Sequence, residues 1–170
     1  MKSNIFVFIA LCALCLAFAA PETDIVFTKA NFSIHYPATW KLDTSGKMGT
    51  SFALFSPSES TDDKFSENVN LISQDLKGHD LDLNKYVEIS EGKITSMITN
   101  SNVLESKRIK KESSEFHKMM YTGDQGAFHL QFEQYVWVMN ERAYILTFTM
   151  EQGNSTQAIG ETILNSFVLK

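Results

Sequence analysis

The side chains in this 170-residue sequence with the clearest chemical potential are four histidines, a few isolated carboxylates and one basic run. His79, Asp80 and Asp82 fall within four consecutive positions. Three such oxygen and nitrogen donors could begin a divalent-cation site. The same residues also read as a polar loop ending in an N-cap, since Asp82 directly precedes a helical pattern. His117 and His129 lie on neighbouring predicted strands. A turn that pairs Thr122 with Ala127 puts His117 opposite Phe132 and His129 opposite Met120, on opposite faces, where they cannot share a metal.

Glu133 stands among Tyr135, Trp137 and Phe148. A carboxylate covered by a helix there would have a raised pKa and acid/base potential. An edge-exposed glutamate paired with a lysine is the structural alternative. Lys107-Arg108-Ile109-Lys110-Lys111 is the basic run. It could meet an acidic partner or anionic lipid, or be a solvated edge strand that uses lysine against sheet-to-sheet aggregation. Tyr135, Trp137 and Tyr144 could form an aromatic platform or pack beneath a helix. There is no G-x-S-x-G elbow and no phosphate-cradling glycine loop. No catalytic, metal or cofactor residue stands out from this survey.

The elements that position these residues follow from composition and periodicity. With 44% hydrophobic and 21% charged residues, three Pro and eight Gly, the chain fits one globular domain. The net charge of −5 excludes a general nucleic-acid binder, which needs clustered positive surface. Met1-Lys2-Ser3-Asn4 is followed by sixteen residues without a polar side chain, Ile5 to Ala20. That run is short for a membrane span and matches a secretory signal with an A-x-A site at Ala17-Phe18-Ala19. The domain expectation is therefore a signal peptide over 1–19 and a single domain over 20–170. Removal of 1–19 takes Cys12 and Cys15 with it, leaving a cysteine-free chain with 14 basic and 20 acidic residues. Thiol catalysis and disulfides drop out.

Ile25-Val26-Phe27 and the alternating Phe32, Ile34 and Tyr36 predict strands, as do 50–56, 68–76, 103–111, 116–122, 127–139 and 142–150. Leu83, Tyr86, Val87, Ile94, Met97 and Ile98 predict a helix over 83–99. A second helix is expected from Ser155 to Phe167, with Asn154 and Gln157 resembling a capping box. Asn140-Glu141 predicts a tight turn that sets Met139 against Arg142, Trp137 against Tyr144, Tyr135 against Leu146 and Glu133 against Phe148. Both faces of that hairpin are then largely apolar, so both need cover. The fold class is α+β: an antiparallel sheet of about six to eight strands sandwiched between helices, α/β/α. Asn31-Phe32-Ser33 and Asn154-Ser155-Thr156 are N-glycosylation sequons, both expected at the surface.

Phe32-Ser33-Ile34-His35-Tyr36-Pro37-Ala38-Thr39-Trp40 resembles the F-x-I-x-Y-P-x-x-W opening of the PsbP-like family. Asn68-Val69-Asn70-Leu71-Ile72, Leu83-Asn84-Lys85-Tyr86, Ala143-Tyr144-Ile145-Leu146-Thr147-Phe148-Thr149 and Ile163-Leu164-Asn165-Ser166-Phe167 resemble later elements in the same order. The resemblance implies the same sheet-and-helix sandwich and gives no catalytic residue to carry over, so fold transfers and function does not. It also suggests an exported, non-catalytic accessory or binding protein, secreted to an extracellular, periplasmic or lumenal space. The expected partner is another exported or membrane-associated protein, with peripheral membrane contact and no transmembrane helix in the mature chain. No cofactor is expected. A small hydrolase with an unrecognised cleft and a metal carrier built on His79, Asp80 and Asp82 are the alternatives.

Overall fold

In the computed structural model, residues 24–111 and 114–170 are described. The signal peptide expected over 1–19 lies outside them. The chain runs β1 (Asp24–Lys29), β2 (Phe32–Pro37), β3 (Lys41–Asp43), β4 (Thr50–Phe55), β5 (Asn68–Asp75), α1 (Leu83–Met97), β6 (Thr99–Lys111), β7 (Ser114–Gln125), β8 (Phe128–Met139), β9 (Arg142–Glu151), α2 (Gln157–Ser166) and β10 (Val168–Leu169). Seven strands form an antiparallel sheet in the order β3-β4-β5-β9-β8-β7-β6. β1, β2 and β10 form a separate three-stranded sheet, which the sequence reading did not separate from the main one.

Period-two patterning gives the seven-stranded sheet two usable faces. One carries Phe52, Leu54, Val69, Leu71, Phe116, Tyr135, Trp137, Leu146 and Phe148, all buried. Phe32, Ile34 and Tyr36 of β2 pack on it, together with Trp40, Phe167 and, from α2, Ile163 and Leu164. This closed face is thus covered by a small sheet and one helix. That corrects a cover made only of helices: α2 is where a helix was expected, and β1 and β2 add inward-facing aromatic rings beside it.

α2 sits close to the sheet because of one glycine. A Cβ on Gly160 would lie 2.2 Å from Cε1 of Phe148, so any larger residue forces the helix and strand apart. The Asn154 capping box does not form. Thr156 is the N-cap without a side-chain cap bond, while the Asn154 side chain accepts from Thr156 N–H at 2.7 Å.

The second face is covered by α1, whose Val87 and Ile94 pack with Met119, Tyr121, Val136, Ala143 and Ile145. Asp82 caps α1 as the sequence suggested, its carboxylate accepting Lys85 N–H at 2.8 Å. Met97, placed on the apolar stripe by its spacing, is instead 77% exposed at the end of the helix. α1 lies over β6, β7 and β8, touches β9 and reaches β5 where Tyr86 O–H donates to Gln74 Oε1 at 2.9 Å, leaving β3, β4 and the Asn68–Ile72 part of β5 open on this face. The two-sided helical sandwich is therefore complete on neither side.

The two long hairpins differ in how well the sequence sets their register. The β8–β9 pairing matches the expectation at all four pairs, from Met139↔Arg142 to Glu133↔Phe148. Asn140 and Glu141, at φ 52° and 55°, give the two-residue turn whose twist suits a hairpin. In β7–β8 the turn is Gly126-Ala127, with Gln125 paired to Phe128. His117 therefore faces Val136 and His129 faces Asp124, correcting the pairs with Phe132 and Met120. Gly123, read as a turn residue, lies within β7. A Cβ there would stand 2.3 Å from Ile98 Cγ2, so close packing of α1's end explains this glycine.

Candidate functional site

The structure divides the candidate residues among separate places. His79, Asp80 and Asp82 sit in the exposed turn before α1, where His79 N–H donates to Leu76 O at 3.0 Å and the Asp82 carboxylate is engaged as the cap. Among the described residues no group of three or more His, Cys, Asp or Glu is placed to hold a metal ion. His129 lies across β7–β8 from Asp124, Nδ1 to Oδ1 at 2.5 Å, and Asn100 Nδ2 donates to Asp124 Oδ2 at 2.6 Å. These bonds, Asn100 first and His129 next, hold the Asp124 carboxyl below its ordinary range.

Glu133 is buried, not edge-exposed, and does pair with a lysine. Lys118 Nζ is 2.7 Å from Glu133 Oε1 and 3.5 Å from Glu105 Oε2, while Tyr135 O–H donates to Glu133 Oε1 at 3.1 Å. Burial pulls the Lys118 ammonium down, but the hydrogen bond and charge of Glu133, with Glu105, outweigh it and raise its pKa. Burial, then the Glu133 charge, pushes the Tyr135 phenol well up. This is a satisfied ion pair inside the closed face, with Trp137 against Phe116 and Phe167 beside it. The aromatic platform of Tyr135, Trp137 and Tyr144 is core.

The basic run occupies β6, the edge of the seven-stranded sheet, as the edge-strand reading requires. Lys107 pairs with Glu105, and Arg108 and Lys110 approach Glu115. Two carboxylates, Glu105 and Glu115, thus stand beside three of its four basic side chains, and Lys111 lies over the Phe116 ring.

A polar relay that the sequence reading missed lies between α1 and the β6–β7 pair. Ser106 Oγ bonds to the Glu91 carboxylate and stands 2.7 Å from His117 Nε2. A serine has one hydroxyl proton. With that proton donated to Glu91, the His117 Nε2–H donates to Ser106 Oγ. His117 Nδ1 then carries a lone pair and is buried with no hydrogen-bond partner among the described residues. Burial, with the Arg108 charge, lowers the His117 pKa against the opposing pull of Glu91. The residues of an acyl-transfer triad are present in the wrong order, with the imidazole occupying the serine lone pair instead of receiving its proton.

On the second face a groove of about 430 Å³ lies over the half where α1 gives least cover. Asp43, Phe55, Phe65, Asn68, Asn70, Ile72 and Thr149 line it, with the exposed Lys47 and Met48 at its edge. Pairing of β4, β5 and β9 sets Asn68 beside Thr149 and Asn70 beside Thr147. Asn70 Nδ2 donates to Asn68 Oδ1 at 3.2 Å, and Gln134 Nε2 to Thr147 Oγ1 at 3.0 Å. A further hollow of about 250 Å³ beside α1 adjoins it at Ile72. The signal was present in the sequence: β5 alternates Asn68, Asn70, Ile72 against Val69, Leu71.

The loop behind the groove is anchored internally. Glu67, 1% exposed, accepts from Ser56 Oγ at 3.0 Å and from Asn154 Nδ2 at 2.8 Å. The Asn154 sequon is thus half-buried with its amide nitrogen committed, which corrects its surface placement. Asn31 is exposed in the β1–β2 turn as expected.

A profile of PsbP-like proteins matches residues 20–169. The chain belongs to the PsbP-like protein family. Three solved structures similar to this PsbP-like protein share its fold. Cyanobacterial PsbP from Synechocystis is 13% identical, with 92% of this chain and 97% of that one covered and a TM-score of 0.60. LpqN of Mycobacterium tuberculosis, described as involved in cell envelope biogenesis, is 10% identical over 88% and 90% of the two chains, with a TM-score of 0.59. A Pseudomonas aeruginosa protein of unknown function is 10% identical over 86% and 97%, with a TM-score of 0.59. A search of curated proteins finds no match. Among the described residues no helix of this PsbP-like protein is long and apolar enough to cross a membrane.

Proposed function

We propose that this protein is an exported, non-catalytic accessory domain that works by binding through the open groove on β4, β5 and β9. The hydrogen-bond order of Glu91, Ser106 and His117 carries the non-catalytic part. The hydroxyl proton is directed to a carboxylate and the imidazole donates, so no base is aimed at a nucleophile. The groove supplies the binding surface: its lining is mostly amide, hydroxyl and apolar, with Asp43 and Lys47 as charges of opposite sign. Such a surface recognises and holds a ligand without acid/base chemistry. Export rests on the short apolar N-terminus and on the cyanobacterial PsbP and cell-envelope LpqN relatives.

Two measurements test this reading. The full chain and Ser106→Ala are assayed against ester, phosphate and glycoside chromogenic substrates, with equal background rates expected; turnover lost in Ser106→Ala would make it an enzyme. Fractionation of producing cells with N-terminal sequencing is expected to give extracytoplasmic protein beginning at Ala20. Protein recovered only from the cytoplasm with residues 1–19 attached would end the export reading.

A further inference from the structure

We infer that the groove binds a neutral oligosaccharide, whose hydroxyls meet the amide and hydroxyl floor and whose ring C–H faces rest on its aromatic and apolar walls. The inference rests on the groove being a binding site, and it names the ligand class. Three observations select the occupant. The first is charge: Asp43, half-buried opposite Ala53, and the exposed Lys47 put one charge of each sign in the lining, and Asn68, Asn70, Ala53, Ile72 and Thr149 carry none. The two charges offset, so a ligand with net charge would be desolvated there with no net opposite charge to receive it.

The second is polarity. Asn70 in the groove donates through Nδ2 to Asn68, and Gln134 in the adjoining hollow donates through Nε2 to Thr147. Each side-chain amide can make up to four hydrogen bonds. An apolar chain laid over them would strand that capacity away from water. A polyol answers it with hydroxyls that both donate and accept.

The third is where the backbone stands. Extended peptides are usually captured at sheet edges, where main-chain groups are free. The groove lies on a sheet face, and the backbone of β5 is paired to β4 on one side and β9 on the other. The sheet part of the groove offers side chains, Phe55 among them, and Phe65 beside it is held 5.2 Å from the Phe128 ring. Met48, 92% exposed, adds a flexible apolar rim that can adapt to a sugar face.

The test is a titration of the isotope-labelled full chain, followed by amide NMR. The probes are maltohexaose, cellohexaose and chitohexaose, with an oligogalacturonate and an uncharged Ser/Thr/Asn-rich peptide as comparisons. Saturable shifts at Ala53, Asn70, Ile72 and Thr149 with a neutral sugar, and none at α2, are expected. Asn70→Leu should weaken that binding about tenfold, as loss of a buried amide's hydrogen bonds does. Met48→Ala, at a rim position that carries little of the fold, should weaken it a few-fold and leave the spectrum otherwise unchanged.

Absence of saturable groove shifts with all three neutral sugars overturns the inference, as does a preference for the oligogalacturonate or the peptide. A peptide shifting the same amides would overturn the sugar assignment and leave the groove as the working surface. Cleavage of a bound oligosaccharide, visible in the same tube from new reducing-end signals, would keep the ligand class and overturn the non-catalytic reading.

Discussion

The two faces of the seven-stranded sheet are built from similar alternating strands and come to opposite ends. On the closed face Phe52, Leu71, Leu146 and Phe148 are at most 1% exposed, roofed by α2, β2 and Trp40. Its polar groups, Glu133, Lys118 and Tyr135, are bonded to one another. On the other face α1 roofs β6 to β8, meets β9 and the Gln74 end of β5, and then stops. Beyond it Asn70 and Thr149 lie in a groove and Ile72 is 37% exposed. Stability therefore resides mainly in the first face, and surface that can be spent on a partner in the second. Binding surfaces need this separation, because a group fully satisfied by the fold has nothing left for a ligand.

Substitutions at graded positions sharpen or break this contrast. Phe148→Ala removes a buried ring beneath Gly160 and is expected to cost about 3–5 kcal/mol in urea unfolding. A cost near that of an open-face residue would erase the distinction. Lys118→Met leaves the Glu133 carboxylate unpaired inside the closed face and should cost about 2–3 kcal/mol, the partial exposure of Lys118 moderating the loss. Adding Glu133→Leu should recover most of it. Full additivity of the two would mean that the charges do not act as a pair.

The border between the faces responds to acid. Burial and Arg108 lower the His117 pKa, so the folded protein holds this imidazole neutral while the unfolded chain takes a proton near 6.5. The unfolded state then binds more protons, and stability rises with pH. This contribution is complete above pH 6.5 and is lost as pH falls toward the lowered folded value. Thermal melts should therefore drop between pH 7 and pH 5, and His117→Phe should flatten that part of the profile. An unchanged profile would remove His117 from the account. At the small end, Met48→Ala at the groove rim is expected to alter stability by no more than about 0.5 kcal/mol.

Legibility followed how local each signal was. The β8–β9 register was readable because a two-residue turn and a hydrophobic alternation agree on it. In β7–β8 two glycines competed for the turn, and only Ile98, brought in from the end of α1, explains why Gly123 belongs to the strand. The Glu133–Lys118 pair was half visible: a lysine partner was foreseen, its burial was not. Glu91, Ser106 and His117 come from α1, β6 and β7, and no spacing in the chain announces their contact.

The sequence by itself determined the antiparallel strands, α1 with its Asp82 cap, the two-sided apolar character of the β8–β9 hairpin and the family. These follow from side-chain period and turn chemistry, which act over a few residues. Tertiary structure decided what covers each face. Roofing depends on where β1, β2 and α2 dock and on how far a fifteen-residue α1 reaches across seven strands. A strand that alternates Asn68, Asn70 and Ile72 against Val69 and Leu71 states only that its two faces differ. Whether the amide side meets a helix or solvent is a matter of long-range packing, and here α1 ends its cover before reaching it.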